Sequence, residues 1–263
     1  MTRRNFLLNM FKLSIGLTIP GSIPALATPK IAKGAKSLEA NSSKVRWIFL
    51  VDTYKCVGCG MCVSACKREN EVPYDANVTR TWVERYILTR DGKLFIDSPK
   101  GGRDGFISYK IEIGMGKFIE VNPKEIVKAF FVPKLCNQCE NPPCVQVCPV
   151  GATYQTADGI VMVDRKWCIG CAYCIMACPY GARFFHPIYK VAEKCNFCYH
   201  RITKGLKPAC VQACPFGARK IGNIKDKEDP ITKIILTERV GVLKDEYGTK
   251  PQVYYLGLSK EVR

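Results

Sequence analysis

Residues 168–179 read Cys168-Ile-Gly-Cys171-Ala-Tyr-Cys174-Ile-Met-Ala-Cys178-Pro179, a C-x2-C-x2-C-x3-C-P run. With this spacing thiolates hold cubane iron–sulfur cores: three thiols on a tight loop wrap three corners of one cube, and the fourth, followed by proline, serves a neighbouring cube. The idea recurs three times. Cys56, Cys59, Cys62 and Cys66 keep the 2-2-3 spacing without the proline. Cys136, Cys139, Cys144 and Cys148 show 2-4-3 with Pro149, and Cys195, Cys198, Cys210 and Cys214 show 2-11-3 with Pro215. The four runs use all sixteen cysteines. Three share a tail, Cys148-Pro-Val-Gly-Ala, Cys178-Pro-Tyr-Gly-Ala and Cys214-Pro-Phe-Gly-Ala, which marks repetition of one supersecondary unit.

Other uses of cysteine fit less well. Zinc sites pair two C-x2-C knuckles and need neither a third cysteine at x2 nor a Cys-Pro after x3. Disulfides suit an exported chain, but the spacing is that of metal clusters. The 263 residues make one large or two small domains. The formal charge of +17 counts each cysteine as a neutral thiol. Sixteen thiolates around four [4Fe–4S] cores, and loss of Arg3, Arg4 and Lys12 with a leader, leave roughly +6. At that charge nucleic acid has little electrostatic motive to bind and is not an expected partner. A mildly basic surface suits anionic lipid headgroups, an acidic partner or plain solvent.

Thr2-Arg3-Arg4-Asn5-Phe6-Leu7 is a twin-arginine export motif, and a weakly apolar stretch runs to Ala25-Leu26-Ala27. Residues 1–27 are therefore expected to be a twin-arginine signal peptide, either cleaved after Ala27 or retained as an anchor, with the mature chain on the periplasmic or extracytoplasmic face of the membrane. Residues 28–44 read as a linker. Val45–Val51 is a strand entering the first cysteine loop, and Met61–Arg68 a short helix. Residues 69–131 hold no cysteine and read as a β-rich insertion, with a hairpin of Thr81–Leu88 and Lys93–Ile96 around Asp91-Gly92 and further turns at Gly101-Gly102 and Gly114–Gly116. The insertion is either a partner surface or a β-layer over the metal centres.

Between Cys148 and Cys168, Thr153–Asp164 is a strand pair turning at Asp158-Gly159. This is the connection inside a bacterial two-cluster ferredoxin, and it pairs the second motif with the third. The link from Cys178 to Cys195 shows no such turn, so by elimination the first motif pairs with the fourth. The expected fold is α+β: two dicluster-ferredoxin-like modules, one discontinuous over 45–68 and 190–263, the other over 132–189. Toward the end, Ala218–Ile224 is strand-like, Asp229-Pro230 opens a helix over Ile231–Arg239, and Gln252–Leu256 is a last strand. No segment there is long and apolar enough to span a bilayer. His186 and His200 read as polar loop or surface residues. Tyr173, Tyr180 and Phe216 read as aromatics packed against the metal centres. Lys194 and Arg201 read either as cations that tune a cluster or as surface charges.

With these motifs placed, the chain resembles the four-cluster iron–sulfur subunits of membrane-linked respiratory oxidoreductases, which serve dimethyl sulfoxide, polysulfide, tetrathionate and nitrite reductases and formate dehydrogenases. The likeness covers about residues 46–225. It is carried by Lys55-Cys-Val-Gly-Cys-Gly-Met-Cys-Val-Ser-Ala-Cys66, Cys136-Asn-Gln-Cys-Glu-Asn-Pro-Pro-Cys-Val-Gln-Val-Cys-Pro149, Cys168–Pro179, Lys194-Cys-Asn-Phe-Cys198 and Pro208-Ala-Cys-Val-Gln-Ala-Cys-Pro215. Export and the long insertion look most like the branch found in sulfite-reduction-associated Dsr membrane complexes, with the nitrite-reductase-linked branch close behind.

The resemblance implies a non-catalytic electron-transfer subunit with four [4Fe–4S] clusters. It assigns Cys56, Cys59, Cys62 and Cys214 to one cluster, and Cys195, Cys198, Cys210 and Cys66 to a second. A third takes Cys136, Cys139, Cys144 and Cys178, and the last Cys168, Cys171, Cys174 and Cys148. It further implies a polytopic quinone-reactive membrane subunit and a cytochrome c or molybdenum-containing subunit as partners, with the membrane reached only through a partner. The other reading is a free-standing exported polyferredoxin acting as a diffusible carrier; the insertion favours the docked subunit. No nucleotide-binding glycine pattern and no acid–base set is present, so no residue is expected to be catalytic.

Overall fold

Trp47-Ile-Phe-Leu-Val-Asp52 is an almost unbroken apolar run because its strand is covered on both faces. In the computed structural model, which describes residues 44–106, 108–114 and 116–262, this strand (β1) enters the first cysteine loop and helix α1 (Met61–Glu69). The expected leader, and the linker up to residue 43, lie outside the described residues. The cysteine-free segment contains β2 (Thr81–Thr89), β3 (Leu94–Asp97), β4 (Lys110–Gly114) and β5 (Lys117–Glu120), and β6 (Ile126–Leu135) leads from it into the second loop. Then come α2 (Pro143–Gln146), β7 (Thr153–Gln155), β8 (Val161–Val163), α3 (Tyr173–Met176), β9 (Arg183–Phe185) and β10 (Ala192–Lys194). The chain continues through α4 (Tyr199–Ile202), α5 (Ala209–Gln212), β11 (Arg219–Asn223), α6 (Pro230–Thr237), β12 (Val240–Gly241) and β13 (Val253–Leu256).

The central sheet runs β11-β1-β13-β12. β1 lies antiparallel to β11, from Trp47 opposite Asn223 to Val51 opposite Arg219, and parallel to β13. The strand before the first motif is thus hydrogen-bonded to the strand after the fourth. Phe49 and Val51 join the main core with Phe197, Val253 and Tyr255. On the other face Ile48 and Leu50 meet Ile231 of α6. Asp229 caps α6, its Oδ1 accepting from the amides of Ile231 (2.7 Å) and Thr232 (3.4 Å), with Pro230 in the first turn. The helix stops at Thr237 instead of Arg239 because Glu238 is already extended and β12 pairs with β13.

The insertion forms a second sheet, β3-β2-β6. Its β2–β3 hairpin turns at Asp91-Gly92, and Arg85 forks onto both carboxylate oxygens of Asp97 across it at 2.8 and 2.7 Å. β6 follows β2 from Leu135 opposite Thr81 to Ile126 opposite Thr89. As an edge strand it tolerates Pro133. The limit at 131/132 therefore falls inside a strand, and the insertion and the second motif share it. This sheet lies over the first cysteine loop: a Cβ added at Gly58 would sit 2.5 Å from the Phe131 ring, and one at Gly60 2.3 Å from the Arg103 carbonyl oxygen. Of the two readings of the insertion, a β-layer over the site describes this face. The β4–β5 pair is an additional element.

One link differs from the sequence reading. Between Cys178 and Cys195, β9 and β10 pair from Phe185 opposite Ala192 to Arg183 opposite Lys194. Their turn is organised by His186, whose Nδ1 accepts from the amides of Ile188 and Tyr189 at 3.3 Å while Nε2 lies 3.2 Å from the Glu71 carbonyl oxygen. A buried imidazole stands in for the usual glycine or asparagine, and the turn signal in the sequence is Pro187 alone. His186 is fully buried, not a surface residue. The limit at 189/190 divides this strand pair, and the elimination argument for pairing the first motif with the fourth loses its premise. Hydrogen bonding of β1 to β11 is the contact that joins those segments.

Gly60 opens α1 at φ +74°, against the backbone of the insertion. Gly60→Ala should destabilise the holoprotein by about 2–4 kcal/mol through left-handed strain and overlap with that backbone. Gly92→Ala, at φ +79° with nothing within 4 Å, should cost only about 1–2 kcal/mol. Thermal unfolding of the two variants side by side checks this, and equal losses would show that the layer does not bear on the loop.

Candidate metal centres

The four cysteine loops share a backbone device. The residue two after the first cysteine takes a left-handed conformation in each: Gly58 (φ 70°), Gln138 (φ 46°), Gly170 (φ 72°) and Phe197 (φ 52°). Gln138 and Phe197 accept this strain because the turn must present thiols on one side, a cost that concentrates at functional sites. The repeated tails also share a turn. The amides of Gly151, Gly181 and Gly217 donate to the carbonyls of Cys148, Cys178 and Cys214, each at 3.3 Å. That turn aims further amides at sulfur: Thr153 N lies 3.4 Å from Cys148 Sγ, and Ala218 N 3.3 Å from Cys214 Sγ. Burial pushes the Cys148 thiol up, but the amides of Thr153, Val150 and Ala152 outweigh it and hold the group below the usual thiol range.

The first motif has no proline, and α1 runs on through Cys66. There a side chain replaces the tail. Asn70 Nδ2 donates to Cys66 Sγ at 3.5 Å and lies 3.9 Å from Cys198 Sγ. Its Oδ1 accepts from Arg80 at 2.7 Å, and Arg80 pairs with buried Glu193 at 3.0 Å.

The structure gathers the thiols into four sets. Cys56, Cys59, Cys62 and Cys214 line one pocket, and Cys148, Cys168, Cys171 and Cys174 another. Burial drives the Cys66 thiol far up, and Cys195, Cys210 and Cys198, which face it, add to the rise. Burial takes Cys139 to about 12, with Cys136, Cys144 and Cys178 as its thiol neighbours. α1 packs on α5, and α2 on α3, behind these groupings. Successive sets adjoin: Cys62 neighbours Cys210, and Cys195 neighbours Cys136. Only the two end sets present an exposed thiol, Cys59 and Cys171.

These residues fit a polynuclear, anionic metal group. All sixteen thiols are free, and among the described residues no three His, Cys, Asp or Glu side chains converge on a single ion. Buried positive charge also faces the thiols. Both Nη atoms of fully buried Arg219 lack a hydrogen-bond partner, and its neighbours are Cys62, Cys210 and Cys56. Arg183 Nη2 is likewise unpartnered beside Cys144, Cys174 and Cys136.

A family model of the 4Fe-4S dicluster domain matches residues 55–152, and a second such model matches 127–224. The chain is 40% identical to the B subunit of tetrathionate reductase from Salmonella typhimurium, over 98% of this chain and 88% of that one. The chain belongs to the 4Fe-4S dicluster family of iron–sulfur subunits. It is also 36% identical to the Hdr-like menaquinol oxidoreductase iron-sulfur subunit 1 of Archaeoglobus fulgidus, over 99% of this chain and all of that protein. The B component of polysulfide reductase from Wolinella succinogenes is 35% identical over 77% of this chain and 90% of its own length. As a member of this family the protein is an electron-transfer iron–sulfur subunit of the β type, binding 4Fe-4S clusters.

Within this dicluster subunit the two cations singled out in the sequence part ways. Lys194 is fully buried, donates to the carbonyls of Val161 and Cys195, and faces Cys136, Cys144 and Cys195. Arg201 pairs instead with Glu69 at 2.8 Å, which also holds exposed His200 at 2.7 Å. Tyr180 is partly buried beside Cys139 and Cys178, its hydroxyl 2.5 Å from Thr249 Oγ1, whereas Tyr173 and Phe216 are exposed. Arg183 and Arg219 were missed, although a signal was present: the repeated tail extends to Gly-Ala-Arg after Cys178 and Cys214.

Asn70→Leu removes the amide donor to Cys66 and Cys198 while keeping side-chain volume. Iron in that set should be held roughly 10–100-fold more weakly. The check is the chelator concentration that strips half the iron; an unchanged value would mean the amide does not support these thiols.

Proposed function

We propose that this chain is the electron-relay subunit of an anaerobic respiratory complex, carrying four [4Fe–4S] clusters between a quinone-reactive polytopic membrane subunit and a cytochrome c or molybdenum-containing partner. The observation that carries the reading is the sequence of adjoining thiol sets, buried in the middle but for half-buried Cys178, with Cys59 and Cys171 at the two ends as the exposed thiols. Cys56, Cys59, Cys62 and Cys214 would hold the first cluster, and Cys66, Cys195, Cys198 and Cys210 the second. Cys136, Cys139, Cys144 and Cys178 would hold the third, and Cys148, Cys168, Cys171 and Cys174 the fourth. The first motif thereby forms one ferredoxin-like module with the fourth, and the second motif another with the third. Each cluster, when bound, supplies one-electron uptake and release.

The remaining work belongs to the protein. Phe197, Tyr255 and Leu135 exclude water from the interior sets. The Cys-Pro-x-Gly-Ala tails aim amides at sulfur, which favours thiolate. Exposed Tyr54, Val57, Met61 and Phe216 near the Cys59 end, and Trp167, Ile169, Tyr173 and Met176 near the Cys171 end, suit partner docking. No catalytic residue is assigned; the complex's chemistry belongs to its partners. The Hdr-like menaquinol oxidoreductase relative supports a quinol-linked complex, and a role linked to sulfite or sulfate reduction is the branch we favour. Two exposed apolar ends favour a docked subunit over a diffusible carrier. Among the described residues no helix is long and apolar enough to cross a membrane, so membrane attachment is assigned to a partner. Export by the twin-arginine route, with residues 1–27 removed, places the chain on the extracytoplasmic face.

Anaerobically purified protein should contain about 16 iron and 16 sulfide per chain. Cys66→Ala should perturb the set of Cys195, Cys198 and Cys210, and leave that of Cys56, Cys59 and Cys62 with all four ligands. Electron paramagnetic resonance of the variant decides this; about 8 irons, or damage confined to the first motif's own set, would overturn the crossed ligation. Replacing Arg3 and Arg4 by Lys should retain the protein in the cytoplasm, and deleting the partners should release the mature chain from membranes. Fractionation of cells reads both, and normal export of the variant would refute the localisation.

A further inference from the structure

Five arginines are buried among the described residues: Arg80, Arg85, Arg103, Arg183 and Arg219. Three hold carboxylates, Arg80 on Glu193, Arg85 on Asp97 and Arg103 on Asp104. Arg183 and Arg219 hold none. Arg183 Nη1 reaches Thr153 Oγ1 at 3.3 Å, its Nη2 has no partner, and neither Nη of Arg219 has one. An unpaired buried guanidinium is costly to keep and adds no stability that an apolar side chain of similar volume would not. Something anionic must therefore face it.

The two arginines are equivalents. Each follows Cys-Pro-x-Gly-Ala, at Cys178 to Arg183 and at Cys214 to Arg219, and each is the first residue of a strand, β9 and β11. Each also faces two thiol sets at once. Arg219 lies among Cys56 and Cys62 of one set and Cys210 of the next. Arg183 lies among Cys136 and Cys144 of one set and Cys174 of the next. The remaining gap, between Cys195 on one side and Cys136 and Cys144 on the other, holds buried Lys194. The chain thus places one buried cation in every gap between adjoining sets.

We propose that Arg219, Lys194 and Arg183 are positioning residues, each holding a fixed positive charge between two adjacent clusters and thereby raising the reduction potential of both. The proposal rests on the four-cluster reading above. A reduced cluster carries one more negative charge than an oxidised one, so a nearby cation stabilises the reduced form more. A cation shared by two clusters also offsets the repulsion between electrons on neighbours. One electron then passes from a donor cluster, which is oxidised, to its neighbour, which is reduced, and no proton or atom moves with it. Low local dielectric makes the charge effective, and rigid strand starts keep it in place.

The test is a redox titration of the holoprotein followed by electron paramagnetic resonance, with iron counted on every sample. Arg219→Gln should lower two of the four midpoint potentials by at least tenfold in the reduction equilibrium, about 59 mV for one electron, and leave two unmoved. Arg183→Gln should lower the other two. Lys194→Gln should lower one member of each pair, because it lies between the inner sets. Arg219→Lys and Arg183→Lys should stay near the parent values. Full iron with unmoved potentials, or with all four moving together, overturns the proposal while leaving the four-cluster reading intact; fewer than four clusters in the parent protein overturns that reading instead. If both Gln variants lose clusters, recovery of clusters and potentials in the Lys variants supports a requirement for charge. Failure of the Lys variants to recover them shows a role in shape and overturns the proposal.

Discussion

Thiols packed in fours inside a protein resist becoming thiolates, and the fold is arranged against that resistance. Burial takes Cys56 and Cys210 to about 11 and Cys139 to about 12, each with further thiols as neighbours that push in the same direction. In neutral water such groups stay protonated. Binding metal is what reverses the balance, because iron replaces the proton and its charge offsets the repulsion of four sulfurs. Metal binding at such thiols contributes folding free energy. The short helices α2, α3, α4 and α5, four residues each, are too short to persist by themselves. They are held by packing, α2 on α3 and α5 on α1.

The protein meets the metal halfway with fixed dipoles and charges. In three repeats a Cys-Pro turn supplies amides to sulfur, and where the proline is missing Asn70 supplies the donor from its side chain, anchored through Arg80 to Glu193. The substitution is chemically equivalent but structurally different. Without a proline α1 continues for nine residues, and the extra turn places Asn70 over Cys66. That longer helix needs its own support, which the insertion gives by laying the Gly102–Arg103 backbone on Gly60 and the Phe131 ring on Gly58. The β-layer and the irregular first motif are two halves of one solution.

The metal-binding pattern was legible because every motif keeps the opening C-x2-C and the closing C-x3-C, and only the gap between them varies. The β2–β3 hairpin was legible for the same kind of reason, since Asp91-Gly92 is demanded by its turn, and so was the capped start of α6 at Asp229-Pro230. The β9–β10 turn was less so, because buried His186 does there what glycine or asparagine does elsewhere, and Pro187 is the one turn residue beside it. Nor could the burial of Arg183 and Arg219 be read: arginine after Gly-Ala looks like the exposed start of a strand until the facing thiols are in place. Lys194 and Arg201 show the same limit from the other side. Both precede or follow cysteines closely in the chain, yet one lies among thiols and the other on Glu69, a distinction made only by the packing of β10 against β9 and of α4 beside α1.

Where the thiols reach the surface follows from the same electrostatics. An interior set surrounded by protein has few dipoles to stabilise added negative charge, so it needs a dedicated cation, and the gaps next to the interior sets hold Arg219, Lys194 and Arg183. A set at the end of the series has water on one side as well, which adds to the cation in its single gap. Cys59 and Cys171 lie at those ends, ringed by exposed apolar side chains. A partner that docked on such a ring would expel that water and place its own dipoles against the outermost set. Docking would then do two things at once: bring a redox centre close, and replace a mobile dielectric by a fixed one on the one side that the chain leaves open.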